Sequence, residues 1–106
     1  MARLTSVNLS GVGIANPILI NVNINPVNIS LAVELSDGAV LTYSVEHTYG
    51  PTSTLADIQN AVWFPFLEDQ TATSDGYYAF PVTAVRLKVT SYTSGTVTLR
   101  LLQTGV

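Results

Sequence analysis

Two runs near the end of the chain, Val85-Arg86-Leu87-Lys88-Val89 and Val97-Thr98-Leu99-Arg100-Leu101, alternate apolar with polar side chains. A period of two marks a β-strand with one face buried and the other wetted. For both apolar rows to share one interior, residues 85, 87 and 89 must oppose odd-numbered partners, which excludes a two-residue connection. The loop Thr93-Ser94-Gly95 meets that condition, because glycine takes the left-handed backbone its third position needs at no steric cost. The pattern predicts a hairpin in which Leu87 opposes Leu101, Val89 opposes Leu99, and Lys88 opposes Arg100 on the outer face. Arg86, Lys88 and Arg100 are three of the four positive charges in the chain. Like charges facing one another are unfavourable. Such a face is solvated, relieved by Glu34 and Glu46 of this chain's other outward rows, or offered to the acidic groups of a partner.

The same alternation runs through the first half. Ile18, Ile20, Val22 and Ile24 alternate with Leu19, Asn21, Asn23 and Asn25, and Pro26 then interrupts. Proline donates no ladder hydrogen bond and marks a kink, a strand start or an exposed edge. Val27, Ile29, Leu31, Val33 and Leu35 form a second inward row, and Leu41, Tyr43 and Val45 a third. Parity again predicts a hairpin, with Leu35 opposite Ala39 around Ser36-Asp37-Gly38. Between residues 49 and 65 the alternation lapses. Thr54 and Asp57 resemble a helix-capping pair, and Leu55, Ile58 and Val62 have helical spacing, so one or two helical turns are expected. The stretch from Trp63 to Pro81 reads as loop with short strands and a third turn at Ser74-Asp75-Gly76. Seven to eight strands, at most two helical turns and no linker predict a single domain over residues 1–106, an all-β antiparallel sandwich. Without the Cys and Trp spacing of an immunoglobulin domain, a jelly-roll arrangement is favoured. Residues 1–12 read either as an extended N-terminal arm or as a first strand.

Composition removes several kinds of chemistry. The 106 residues carry a formal net charge of -3 with four cations, too few for binding driven by phosphate neutralisation, so no nucleic-acid partner is expected. The absence of cysteine removes disulfides, thiolate metal sites and cysteine catalysis together. The opening residues lack the apolar core of a secretory signal, and no stretch nears the length of a membrane span, so a soluble protein with no membrane partner is expected. Asn8-Leu9-Ser10 and Asn28-Ile29-Ser30 match the glycosylation pattern by chance on that reading. A single histidine, His47, lies in the inward parity of its strand and reads as a hydrogen-bonded structural residue. Glu68-Asp69 offers half of a calcium site with no supporting pattern, no serine sits in a nucleophile elbow, and no phosphate-binding glycine loop is present. A non-enzyme without metal or cofactor is therefore expected.

Function is then expected at the surface. Asn21, Asn23 and Asn25 form a polar row against strand propensity, which discourages edge-to-edge association. Trp63, Phe64 and Phe66 cannot all point inward from one extended segment, so part of that set is free to anchor a partner. Arg86, Lys88 and Arg100 complete the set of candidate contact residues. A carbohydrate- or receptor-binding module of a phage tail or fibre is the alternative, with Trp63, Tyr77, Tyr78 or Tyr92 stacking on sugar faces.

Residues 60 to 103, through the Trp-Phe-Pro element, the Asp-Gly step before Tyr77-Tyr78, "FPVTAVRL" and the Thr/Ser-Gly loop, resemble the decoration, cement or stapling proteins of short-tailed bacteriophage heads. The N-terminal half matches them only in β character. The resemblance implies a jelly-roll fold and a non-enzymatic protein on the outer surface of the virion. Its implied partners are the major capsid protein, across capsomer joints, and itself, as a dimer or trimer. It carries over no catalytic residue.

Overall fold

A computed structural model describes residues 2–23, 28–78 and 80–104 of the chain. Among the described residues nine strands and one helix follow in order: β1 (Ala2–Leu9), β2 (Gly13–Ile14), β3 (Ile18–Leu19), β4 (Ile29–Leu35), β5 (Val40–Thr48), α1 (Leu55–Asn60), β6 (Trp63–Gln70), β7 (Ser74–Tyr78), β8 (Ala84–Ser94) and β9 (Val97–Thr104). One antiparallel sheet has the order β1-β9-β4-β7. The other has the order β2-β8-β5-β6, with β3 also paired to β8. Counted as one interrupted strand along β8, β2 and β3 give two four-stranded sheets between which the chain passes back and forth, the arrangement of a jelly roll.

The inward rows are those that the alternation marks. Ile29, Leu31 and Val33 from β4, Leu41, Tyr43 and Val45 from β5, Val85, Leu87 and Val89 from β8, and Val97, Leu99 and Leu101 from β9 are all buried. They meet between the sheets, where side chains from two inner faces interdigitate.

Both expected hairpins are instead crossings from one sheet to the other. β8 pairs with β5, setting Leu87 beside Val45 and Lys88 beside Ser44, whereas β9 lies between β1 and β4, setting Leu99 beside Val7 and Val33. Lys88 and Arg100 therefore do not oppose each other. β4 and β5 likewise lie in different sheets, so Leu35 pairs with Val97. A strand that folds across the core keeps its apolar face inward just as one that pairs sideways does, and loop parity does not separate the two. The demand for a left-handed backbone holds in both loops: Gly38 has φ 73° and Gly95 φ 96°. The two crossings nest against one another. The Ser36 amide donates to the Thr96 carbonyl at 2.9 Å, and the Thr96 amide donates to the Ser36 hydroxyl at 2.9 Å. A Cβ on Gly95 would overlap Ala39.

Three further expectations change. The strand foreseen from Ile18 through residue 25 is regular only over Ile18–Leu19 and turns at Val22 and Asn23. Asn21 is taken up by the buried Gln103, whose carbonyl oxygen accepts from the Asn21 amide at 3.2 Å and whose Nε2 donates to the Asn21 carbonyl at 2.9 Å. Asn23 donates its amide to the Asn21 side chain, a local turn bond in place of a ladder bond. The expectations on Asn25, Pro26 and Val27 lie outside the described residues. Ser74-Asp75-Gly76 is part of β7 and not a turn, and glycine is needed there because the Phe66 ring lies 2.8 Å from where a Cβ would stand. The first residues form a strand on this chain's own β9, paired without a break from Ala2–Thr104 to Leu9–Val97. The helix follows its signal, with Thr54 as the N-cap accepting from the Asp57 amide at 3.1 Å, but it buries none of its residues.

Candidate functional site

The sandwich has two outer faces and one aromatic end, and the candidate residues are distributed over all three. On the outer face of the β8-bearing sheet, Arg86 sits opposite Glu46 in register and its Nε donates to that carboxylate at 2.8 Å. Its guanidinium carbon lies 4.2 Å from the centroid of the Trp63 ring, a stacked cation on a half-buried indole. Trp63 is thus held under Arg86. On the outer face of the other sheet, Arg100 donates to Glu34 at 2.9 Å. Arg86 and Arg100 therefore point away from each other on opposite sides of the molecule, and Glu46 and Glu34 of this same chain supply their partners. Lys88, half-buried beside Ser44 and Ile14, makes no ion pair among the described residues.

The remaining two candidates, Phe64 and Phe66, belong to a cluster built where β6 and β7 leave the sandwich open. His47 lies at its centre, 6% exposed and facing inward from β5. Its Nδ1 is 3.0 Å from the Tyr78 hydroxyl and its Nε2 3.3 Å from the Tyr49 hydroxyl. A neutral imidazole satisfies both, one nitrogen donating and the other accepting. Phe64 stacks on the imidazole with centroids 6.2 Å apart, Tyr78 and Phe80 meet it edge-on, and Phe66 lies 4.5 Å from Tyr78. Burial pushes the His47 imidazole below its ordinary range. Burial, and secondarily the nearby Tyr49 hydroxyl, pushes the Tyr78 phenol far above its own. Both groups are consequently neutral at physiological pH, and the cluster behaves as an apolar plug with a hydrogen-bonded centre.

Its outer side faces solvent. Tyr49, Val62, Phe64 and Phe80 are exposed, and with Pro51 and Gly50 the first three border a depression of about 470 Å³. An apolar group of this kind, rigidly backed by buried rings, is what a protein contact requires at its centre. Tyr49 and Phe80 were not among the residues singled out from the sequence. Both lie just beyond strand ends, where alternation no longer reports which way a side chain points. Among the described residues no three of His, Asp and Glu converge.

No protein-family model matches the chain. No curated protein matches it. Among solved structures, a chain described under "Bacillus endospore appendages form a novel family of disulfide-linked pili" aligns with 97% of this chain and 86% of its own length, at 10% identity and a TM-score of 0.42. A likeness at that level carries no inference about function.

Proposed function

We propose that this chain is a non-enzymatic structural protein that acts by surface contact, binding the outside of a bacteriophage head across capsomer joints as a decoration or cement protein. The observation that carries the reading is the exposed apolar group of Tyr49, Val62, Phe64 and Phe80, set on the buried His47–Tyr78 pair. A contact surface backed by a rigid core loses little conformational freedom on binding, which suits a clamp that must hold under load. Several such clamps acting on one shell share the load, because linked contacts raise effective concentration. The resemblance of residues 60 to 103 to decoration proteins supplies the setting.

The sugar-binding alternative ranks second on the placement of its aromatic residues. Tyr78 is buried, Tyr92 is half-buried with its hydroxyl donating to the Gly95 carbonyl at 3.0 Å, and Trp63 lies under Arg86. Tyr77, exposed on a different face, has no aromatic neighbour among the described residues with which to form a platform.

Co-sedimentation of the purified chain with expanded phage heads that lack it tests the proposal. Saturable binding at a fixed ratio to capsid subunits is expected, with loss of binding in the folded double variant Tyr49→Glu, Phe64→Glu. Absence of binding, together with a tryptophan fluorescence response to a glycan panel, would transfer the assignment to the sugar-binding alternative.

A further inference from the structure

Among the described residues the two sheets present open edges at β1, β7, β6 and the β2/β3 pair. Natural sheets protect such edges, since a row of unpaired amides and carbonyls invites another strand. Three of these edges are protected. β6 contains Pro65, breaks register twice against β5, and carries Glu68 and Asp69, the latter at φ 53°. β7 has five residues, among them Asp75 and Gly76, and β2 and β3 have two residues each.

β1 has none of these defences. Its eight residues pair with β9 without a bulge and include no proline, no glycine and no acid. The one charge, Arg3, is turned away from the edge: its guanidinium donates to the Leu19 carbonyl at 3.2 Å and to the Gln103 side chain at 3.3 Å.

The direction of the free main-chain groups follows from the ladder. The Thr104 amide donates to the Asn28 carbonyl, and Ser36 donates to Thr96, so even-numbered residues of β9 bond toward β4. Odd-numbered residues of β9 then bond toward β1, because antiparallel ladders alternate. In the observed register these meet Arg3, Thr5, Val7 and Leu9, which leaves the amides and carbonyls of Ala2, Leu4, Ser6 and Asn8 aimed at the open edge.

We propose that β1 pairs antiparallel with β1 of a second copy of this chain about a two-fold axis, joining two sandwiches through one eight-stranded sheet with Leu4 opposite Leu4. A two-fold axis normal to the sheet must place one residue opposite its own copy. Centred on Arg3 it would set Leu4 against Ala2 and leave about four main-chain hydrogen bonds, and centred on Thr5 it would set Leu4 against Ser6. Centred on Leu4 it opposes two apolar side chains, sets Arg3 against Thr5, and aligns edge-directed groups for about six main-chain hydrogen bonds. It also joins two apolar rows. Leu4, 63% exposed, stands beside Leu102, then Ser30, then Tyr77 on the outer face, and the axis continues that row into its copy. The pairing does not depend on what the sandwich binds, and its test needs no capsid.

Sedimentation velocity of the full chain is expected to give twice the 11.3 kDa chain mass. Leu4→Lys sets two ammonium groups opposite each other at an exposed position and should weaken self-association at least about tenfold while the fold persists by circular dichroism. Ser6→Pro removes an edge-directed amide without breaking a bond to β9, and should do the same. In a chain without cysteine, the single thiol of Leu4→Cys should be linked to its copy by a short bismaleimide, whereas Asp75→Cys on β7 should not. A chain that stays monomeric up to its solubility limit, or dimers that persist in both Leu4→Lys and Ser6→Pro, would overturn the proposal.

Discussion

Gly95 sits where the two sheet-to-sheet crossings touch, with a left-handed backbone and Ala39 in the space its side chain would need. Gly38, also left-handed, has nothing near that space. The pair separates backbone strain from overlap. Gly38→Ala should cost about 1 kcal/mol, the strain of a left-handed alanine, and Gly95→Ala about 2–4 kcal/mol, because overlap adds to strain; urea unfolding of the two variants checks the difference. His47 offers a second residue-scale test. Its folded-state pKa is depressed by burial, so as pH falls the unfolded chain takes up a proton first, near the ordinary histidine value of about 6.5. The contribution of His47 is therefore full above that value and declines as pH falls from there toward the folded-state pKa. The urea midpoint should drop across that interval, and His47→Gln should remove the drop. At the alkaline end the sign reverses for Tyr78. Its raised pKa keeps the folded state protonated while the unfolded phenol ionises at about pH 10, and stability falls above it.

At the scale of elements, the two arginine pairs share a donor atom and nearly a distance but differ in setting. Arg100–Glu34 is about half exposed, where such a pair contributes little. Arg86–Glu46 is mostly covered, and Arg86 also stacks on Trp63. Arg86→Ala should therefore destabilise by about 1–2 kcal/mol and alter tryptophan emission, while Arg100→Ala changes stability by less than about 1 kcal/mol; denaturant titration followed by fluorescence reads both. These elements also mark where sequence was informative. Alternation reports which face of a strand is buried, and for β4, β5, β8 and β9 it marked the apolar rows that meet in the core, while the buried Ser44, Thr48 and Gln103 went unmarked. It carries no information on which strand lies alongside, and so Lys88 was set against Arg100 when each belongs to a different sheet. Thr54 and Asp57 marked the helix start because capping is a local bond between near neighbours. Ser74-Asp75-Gly76 misled for the converse reason: Gly76 answers to the Phe66 ring, a contact between strands of different sheets that local sequence does not record.

At the scale of the whole molecule, the sandwich was legible because strand count, burial rows and absence of linkers all pointed to it. The candidate site was legible only in part. Phe64 and Phe66 stood out as an aromatic run, whereas Tyr49 and Phe80 join them only once β5, β6 and β7 are assembled. Core energetics should be evenly shared between the sheets. Leu87→Ala and Leu99→Ala, both fully buried and each from a different sheet, should each cost about 2–5 kcal/mol in chemical denaturation. A consequence for biosynthesis follows from the place of β9 between β1 and β4. A ribosome delivers β1 and β4 before β9, the strand that joins them. Until residues 97–104 leave the exit tunnel, β1 has no partner of its own and waits with both edges bare. β1 is therefore without its sheet partner while residues 10–96 are made, and its ladder with β9 closes only by bringing together residues far apart in the chain, which slows folding.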